Sequence, residues 1–489
     1  MRELLERRPL LALALLLAAL TLWRLAALAV AAPPLFFDEA QYWFWAQDPA
    51  FGYYSKPPLI AWAIAASTAL FGDGMLAVRL PTLLCYPVAS LLIFAAARRL
   101  YAQEPNSARI ALVAALAYAM LPTVSFYSWA ATTDALLILC WALGTFGLVR
   151  LRETDAWQDW LLLGVAVGLG CLAKYAMLVF GVSAAVWLLL ERRAQLRSLK
   201  PLVAAALAAA ILAPNLLWNA QHDFPTLRHT AEISHLETAW FNWKPLLEFA
   251  SSQFAVFGPI LMGALLVLLW GARRGLDQRT RLLLWLGLPM LVLILAQAAL
   301  ARAFANWAQA AYVPLTIVVV AWLIARDARR WLITSFAVNL LFAAVVYHHA
   351  SAFALAGVEP PRGLDLTARM RPWPPTGAAV AELLRARPGA ALVADEREIL
   401  SELAYYARDA QPSLAAWNPE REVSDHYRLL YDIAASKHSR FLIVSRRLSL
   451  GALEPYFDRV TELAPIEVAV RSDRTVVFKV FEAERFLGY

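Results

Sequence analysis

Long apolar runs alternate with short arginine-bearing stretches up to about residue 350, after which the pattern changes to short apolar runs among charged residues. A bilayer crossing needs about 20 apolar residues. The runs therefore predict crossings near 9–31, 75–97, 110–122, 131–149, 158–172, 175–190, 201–218, 246–270, 282–300, 308–325 and 331–350, about eleven transmembrane helices. Pro58 to Phe71 is apolar but short, and it is bracketed by "KPP" and "FGDG". It predicts a helix lying along the membrane surface or re-entering it. Segment 32–74 is then a structured outer loop with about two helices, not a slack connection. Beyond Pro360, "EPPRGLDLTARMRPWPP" reads as a linker. The runs "AALVAD", "RFLIVS" and "VVFKVF" read as strands, with helical "EREILSELAYYAR" and "SDHYRLLYDIAAS" between them. The expectation is a polytopic α-helical membrane domain over residues 1–350, a linker over 351–375, and a soluble α/β domain over 376–489.

Composition agrees with this pattern. The 489 residues are 61% hydrophobic and 17% charged, with a mean hydropathy of +0.55, against roughly 45–50% apolar residues in soluble domains. The first run, Pro9 to Ala32, exceeds the roughly 7–15 residues of a signal-peptide core. It is expected to stay as a first helix, with Arg24 an oddity inside it.

The net charge of +7 changes the picture only through its distribution. Clusters fall between the runs: Arg2, Arg7 and Arg8; Arg98, Arg99 and Arg109; Arg150 and Arg152; Arg192, Arg193, Arg197 and Lys200; Arg273, Arg274, Arg279 and Arg281; Arg326, Arg329 and Arg330. Taken as cytoplasmic, they give a consistent zigzag with the amino terminus inside and the carboxyl end outside. The excess charge is thus explained by topology, and nucleic-acid binding is excluded as a partner. Cys85, Cys140 and Cys171 lie inside apolar segments without ligand spacing and read as core residues.

The outward-facing segments are poor in cations, which singles out Lys56, Arg79, Lys174, Arg228, Lys244 and Arg302. Such a cation either binds a phosphorylated lipid headgroup or anchors the chain by snorkelling. Lys56, held ahead of Pro57 and Pro58, favours the phosphate role. Asp38 and Glu39 open the outer loop; they act on a proton or a developing oxocarbenium-like charge, or they serve a helix amino terminus. Asp134 in "WAATTDALLIL" poses the same choice, because Thr132 or Thr133 is a ready cap and Asp134 a first-turn acid. Tyr42, Trp43 and Trp45 beside Asp38 suit sugar stacking as well as interfacial anchoring. Segment 219–245 carries His222, Asp223, Arg228, His229, Glu232, His235 and Glu237. It makes His222 and His229 weak candidate ligands for a divalent metal, although the spacing fits no standard zinc pattern. Arg228 is the better-placed phosphate contact of that segment.

The strings "FFDEAQYW", "YYSKPPLIAW", "FGDGMLAVRLPTLL" and "TTDALL" resemble the GT-C glycosyltransferases of the protein O-mannosyltransferase and lipid A aminoarabinose transferase type, families 39 and 83. "NLLWNAQHDFPTLRH" and "FANWAQAAYVP" resemble bacterial members of the same group, so the likeness covers roughly residues 1 to 350. It implies a GT-C fold and an inverting transfer of a hexose or pentose from a polyprenyl-phosphate donor. The acceptor would be lipid A, lipopolysaccharide, another glycan or a protein at the periplasmic face of a bacterial inner membrane. It also implies that Asp38, with Glu39 following it, is the catalytic or acceptor-binding carboxylate, and that Asp134 is a second active-site acid. Lys56 and Arg79 would contact the donor phosphate or acceptor, and Tyr53 would line the cavity. Asn306, Trp307 and Tyr312 would close that cavity, where an aromatic belt accounts for Trp307 equally well. One departure stands out: the family's aminoarabinose transferases carry an acid immediately before the lysine, where this chain has Ser55. That argues against a metal at this point and against the same sugar and acceptor.

Two rival classes remain. A lipid or solute transporter would place ionisable residues near the bilayer midplane on broken helices, whereas here they gather at one face and no internal repeat is visible. An assembly protein with an outer binding domain would leave Asp38 and Lys56 dispensable.

Overall fold

A computed structural model describes residues 7–234, 240–272 and 275–489. Arg2, Arg273, Arg274, His235 and Glu237 lie outside these described residues. The chain divides into two compact units, one formed by Met1–Val30, Lys56–Ile60 and Arg79–His349, the other by Ala31–Ser55, Ala61–Val78 and Ala350–Tyr489.

Each apolar run of the first unit lies on helix. Among the described residues seven helices are long and apolar enough to cross a membrane: Pro9–Ala31, Met75–Leu100, Thr133–Thr154, Lys200–Gln221, Gln278–Leu300, Ala305–Ala325 and Arg329–Leu355. Helices Ser107–Ala119, Trp157–Ala173 and Met177–Glu191 are shorter, with 13, 17 and 15 residues. Helix length alone therefore does not support all of the expected crossings.

The run 246–270, expected as one span, is instead two helices, Trp243–Phe257 and Pro259–Gly271, bent by 114°. Gly258 sits between them at φ +87°. A backbone in that region suits glycine, and Pro259 then starts the next helix with φ already set and no N–H to lose. A Cβ at Gly258 would stand 2.9 Å from Asn339 Oδ1. Gly258→Ala should therefore destabilise the protein by about 1–3 kcal/mol, seen as a lower thermal midpoint in detergent; an unchanged midpoint would remove the strain argument.

Close helix packing comes from small residues. Gly164 and Gly168 let helix Trp157–Ala173 approach Ala204 and Ile211 of helix Lys200–Gln221 so tightly that added Cβ atoms would sit 2.6 Å from Ala204 O and 2.8 Å from Ile211 Cβ. Large side chains such as Leu22, Val30, Trp270 and Leu341 stay exposed, as lipid-facing positions do. Arg24, by contrast, is buried: its guanidinium donates to Tyr347 Oη at 3.0 Å and to Ala119 O at 2.6 Å. The Tyr347 hydroxyl also lies 3.1 Å from Ser128 Oγ, and its ring stacks on Trp129. A charge inside a hydrophobic helix is thus held by partners on other segments.

The second unit carries a six-stranded sheet in the order β2-β1-β3-β6-β4, with β5 on β6. Strands β1 (Ala391–Ala394), β2 (Leu414–Ala416) and β3 (Arg440–Ser445) are mutually parallel in that β1 pairs with both others, whereas β4 (Phe457–Glu462) and β5 (Ile466–Arg471) run antiparallel to β6 (Arg474–Phe486). β3 is also antiparallel to β6. The expected helix in "EREILSELAYYAR" is Arg397–Tyr406. The one expected in "SDHYRLLYDIAAS" is a short helix, His426–Leu430. It stops because the chain is drawn to the sheet edge, where Tyr431 O accepts from Ala416 N at 2.7 Å. Segment 32–74 holds the two helices Phe37–Gln47 and Leu59–Phe71.

Candidate active site

In the first unit, three elements meet at Asp134. Asp134 lies in the first turn of helix Thr133–Thr154, whose Thr132 makes no side-chain cap bond. Its carboxylate accepts from Lys174 Nζ at 2.8 Å and from Asn306 Nδ2 at 2.9 Å. Lys174 ends helix Trp157–Ala173, where the dipole favours a cation. Asn306 lies in the 3-10 turn Ala305–Ala311. That turn is held from two further sides: Gln253 Nε2 donates to Ala305 O at 3.1 Å, and Thr123 Oγ1 donates to Gln309 Oε1 at 2.9 Å. Burial, then the Asp134 charge, pushes the Tyr127 phenol up to about 12. Asp134 is 5% exposed, which makes the neighbouring ammonium and amide necessary for its charge.

The turn after Lys174 is tied in the same way. Tyr175 Oη donates to Asn215 Oδ1 at 2.6 Å and accepts from Asn219 Nδ2 at 3.3 Å. Asn219 Oδ1 in turn accepts from Thr226 N at 3.3 Å. This network fixes the start of helix Pro225–Ser234, which presents Arg228 exposed. Tyr312 is buried, donates to Gln253 Oε1 at 2.7 Å and stacks on Phe257. Lys56 is half-buried in the turn ahead of helix Leu59–Phe71, and Arg79 is buried in helix Met75–Leu100. His222 stacks on Trp218, with Nδ1 at 2.8 Å from Trp218 O. His229 Nδ1 lies 4.0 Å from Glu232. Among the described residues no three His, Cys, Asp or Glu side chains gather as metal ligands do.

In the second unit, the acidic pair at the start of helix Phe37–Gln47 divides its work. Glu39 is buried, and its Oε2 accepts from Phe36 N at 2.9 Å, serving the helix amino terminus. The Asp38 side chain is 40% exposed, and its Oδ1 lies 3.6 Å from Arg397 Nη2. Tyr53 is buried against Trp45, ring centroids 4.4 Å apart, and its hydroxyl donates to Trp45 O at 3.0 Å. Burial pushes its phenol up to about 12. Lys174, which the sequence offers as a phosphate contact or a membrane anchor, is instead paired with Asp134, and Arg397, Gln253 and Tyr127 are not marked by the sequence pattern. Arg397 carried one signal: a cation in a helix first turn opposes the dipole, so its place needs a tertiary reason.

A lipid A galacturonosyltransferase of Rhizobium johnstonii is 34% identical over 441 residues, covering 88% of this chain and 90% of that one. The chain belongs to the GT-C glycosyltransferases. Residues 55–218 match the dolichyl-phosphate-mannose-protein mannosyltransferase family. An undecaprenyl phosphate-alpha-4-amino-4-deoxy-L-arabinose arabinosyl transferase of Pseudomonas fluorescens is 27% identical over 256 residues, covering 49% of this chain and 43% of its own. The crystal structure of ArnT from Cupriavidus metallidurans bound to undecaprenyl phosphate shares the fold, with a TM-score of 0.64 at 16% identity over 95% of this chain and 97% of that one. This GT-C chain is therefore an integral membrane glycosyltransferase, which sets the transporter and assembly-protein readings aside.

Proposed function

We propose that the protein transfers galacturonic acid from a polyprenyl-phosphate donor to lipid A or a related lipopolysaccharide acceptor, at the periplasmic face of the inner membrane. The observation that carries the substrate class is the near full-length likeness to the Rhizobium johnstonii enzyme. Ser55 is the second support. Galacturonic acid is an anionic sugar and aminoarabinose a cationic one, and a neutral residue beside Lys56 sets no adjoining carboxylate against an anionic sugar.

In this mechanism the acceptor oxygen attacks the anomeric carbon from the face opposite the phosphate. The C1–O bond to the phosphate breaks, and its electron pair leaves with polyprenyl phosphate. Asp38, the acid whose carboxylate remains 40% exposed, takes the hydroxyl proton. Lys56, Arg79 and Arg228 neutralise the departing phosphate, with Asn306 and Tyr312 shaping the cavity. Where the acceptor is itself a phosphate, no proton needs removing and Asp38 positions the nucleophile.

Mass spectrometry of lipid A and lipopolysaccharide core from cells with and without the protein tests the proposal. A hexuronic acid increment that depends on the protein is the expected result. An aminopentose or neutral hexose increment would overturn the sugar assignment, and an unchanged envelope would overturn the acceptor.

A further inference from the structure

Within the second unit, helix Phe37–Gln47 packs along helix Arg397–Tyr406 of the carboxyl-terminal domain. The contacts are specific. Trp43 meets Tyr405 edge-on at 5.0 Å, and Trp43 Nε1 donates to Asp73 Oδ1 at 2.7 Å. Tyr405 Oη donates to Asp73 O at 2.8 Å, and Tyr406 Oη accepts from Leu35 N at 2.7 Å. Phe44 stacks on Tyr427 at 5.2 Å. A chain connection of more than three hundred residues is thereby converted into a fixed register between two helix amino termini.

At those termini Arg397 faces Asp38. Its guanidinium lies over the Phe37 ring at 4.9 Å, and Arg369 covers the adjoining Phe36 ring at 5.9 Å. Stacking confines a guanidinium to one plane. The 3.6 Å separation from Asp38 Oδ1 exceeds the roughly 2.7–2.9 Å of a charge-assisted hydrogen bond, so the pair is held by charge across a short gap. A cation in the first turn of helix Arg397–Tyr406 opposes the helix dipole, and the flanking Glu396 and Glu398 are already paired with Arg446.

We infer that Arg397 is a positioning residue for Asp38, which makes the carboxyl-terminal α/β domain part of the catalytic apparatus. The arginine holds the carboxylate by charge and fixes the direction from which it meets the acceptor. This rests on the reading of Asp38 given above, and the experiment separates the two.

The full chain is assayed in detergent with polyprenyl-phosphate galacturonic acid and lipid A, comparing wild type, Arg397→Met, Arg397→Lys and Asp38→Asn. Arg397→Met should lower kcat by about tenfold or more, leave both KM values within about twofold, and leave the thermal midpoint in place. Arg397→Lys should recover most of kcat, a rescue that a packing role would not give. Wild-type kcat in Arg397→Met, or equal losses in Arg397→Met and Arg397→Lys, would overturn the inference. Should Arg397→Met fail to accumulate, Phe37→Leu removes the stacking ring without touching the charge; it should lower kcat, and wild-type kcat there counts against the inference in the same way. Full activity in Asp38→Asn would instead remove the reading of Asp38 itself.

Discussion

Asp38→Asn is expected to lower kcat by about 10²–10⁴-fold while the protein remains inserted and folded. The amide keeps the shape of the carboxylate and removes both its charge and its capacity to take a proton. The adjacent acid does not replace it: Glu39 is buried and its Oε2 is engaged by Phe36 N. Glu39→Gln keeps an oxygen acceptor for that N–H and should cost little in kcat. Single-turnover transfer from polyprenyl-phosphate galacturonic acid to lipid A, measured on both variants, checks the contrast. Equal activity of Asp38→Asn and wild type would sink the proposed base. A drop confined to the acceptor KM would instead favour the positioning role at a phosphate nucleophile.

The largest effect on stability is expected from Lys174→Met. The change removes the ammonium that lies 2.8 Å from Asp134 Oδ1 and leaves a buried carboxylate that still accepts from Asn306. Stranding one member of a buried pair costs about 3–5 kcal/mol. Pairing Lys174→Met with Asp134→Asn removes the stranded charge as well, so the double variant should recover much of the loss. Thermal unfolding of the two singles and the double measures this coupling directly. A double variant no more stable than Lys174→Met would show that the two side chains do not act on one another. If the double variant folds but transfers nothing, Asp134 or Lys174 acts in the chemistry; if it transfers normally, the pair serves the scaffold.

Much of this architecture was legible because hydropathy and strand alternation report local surroundings. The run 9–31 and the strands in "AALVAD" and "RFLIVS" are written in contiguous residues, and the structure places helix or strand on them. The break at Gly258 was missed because an averaging window treats "FGPI" as apolar, although a Gly-Pro pair is a strong local stop. β2 is only Leu414–Ala416, too short for alternation to register. The partners of the candidate acids were out of reach for a different reason. Asp134 and Asn306 are separated by 172 positions, and Asp38 meets an arginine from the far end of the chain, within the same unit. Residue type marked the acids; only folding could say that one is engaged by a lysine and an amide and the other faces a guanidinium.

The buried Arg24 also imposes an order of events during synthesis. Its side-chain partner Tyr347 follows 323 positions later, which at about 5–20 residues per second means a delay of roughly 16–65 s. The Ala119 carbonyl, 95 positions on, arrives first. The opening helix therefore enters the bilayer carrying a charge that is at first unsatisfied, then half-satisfied, and fully satisfied only when the helix bearing Tyr347 is delivered. A nascent chain stalled before that point exposes an intramembrane arginine, the kind of feature by which membrane quality control can tell an unfinished polypeptide from a completed one.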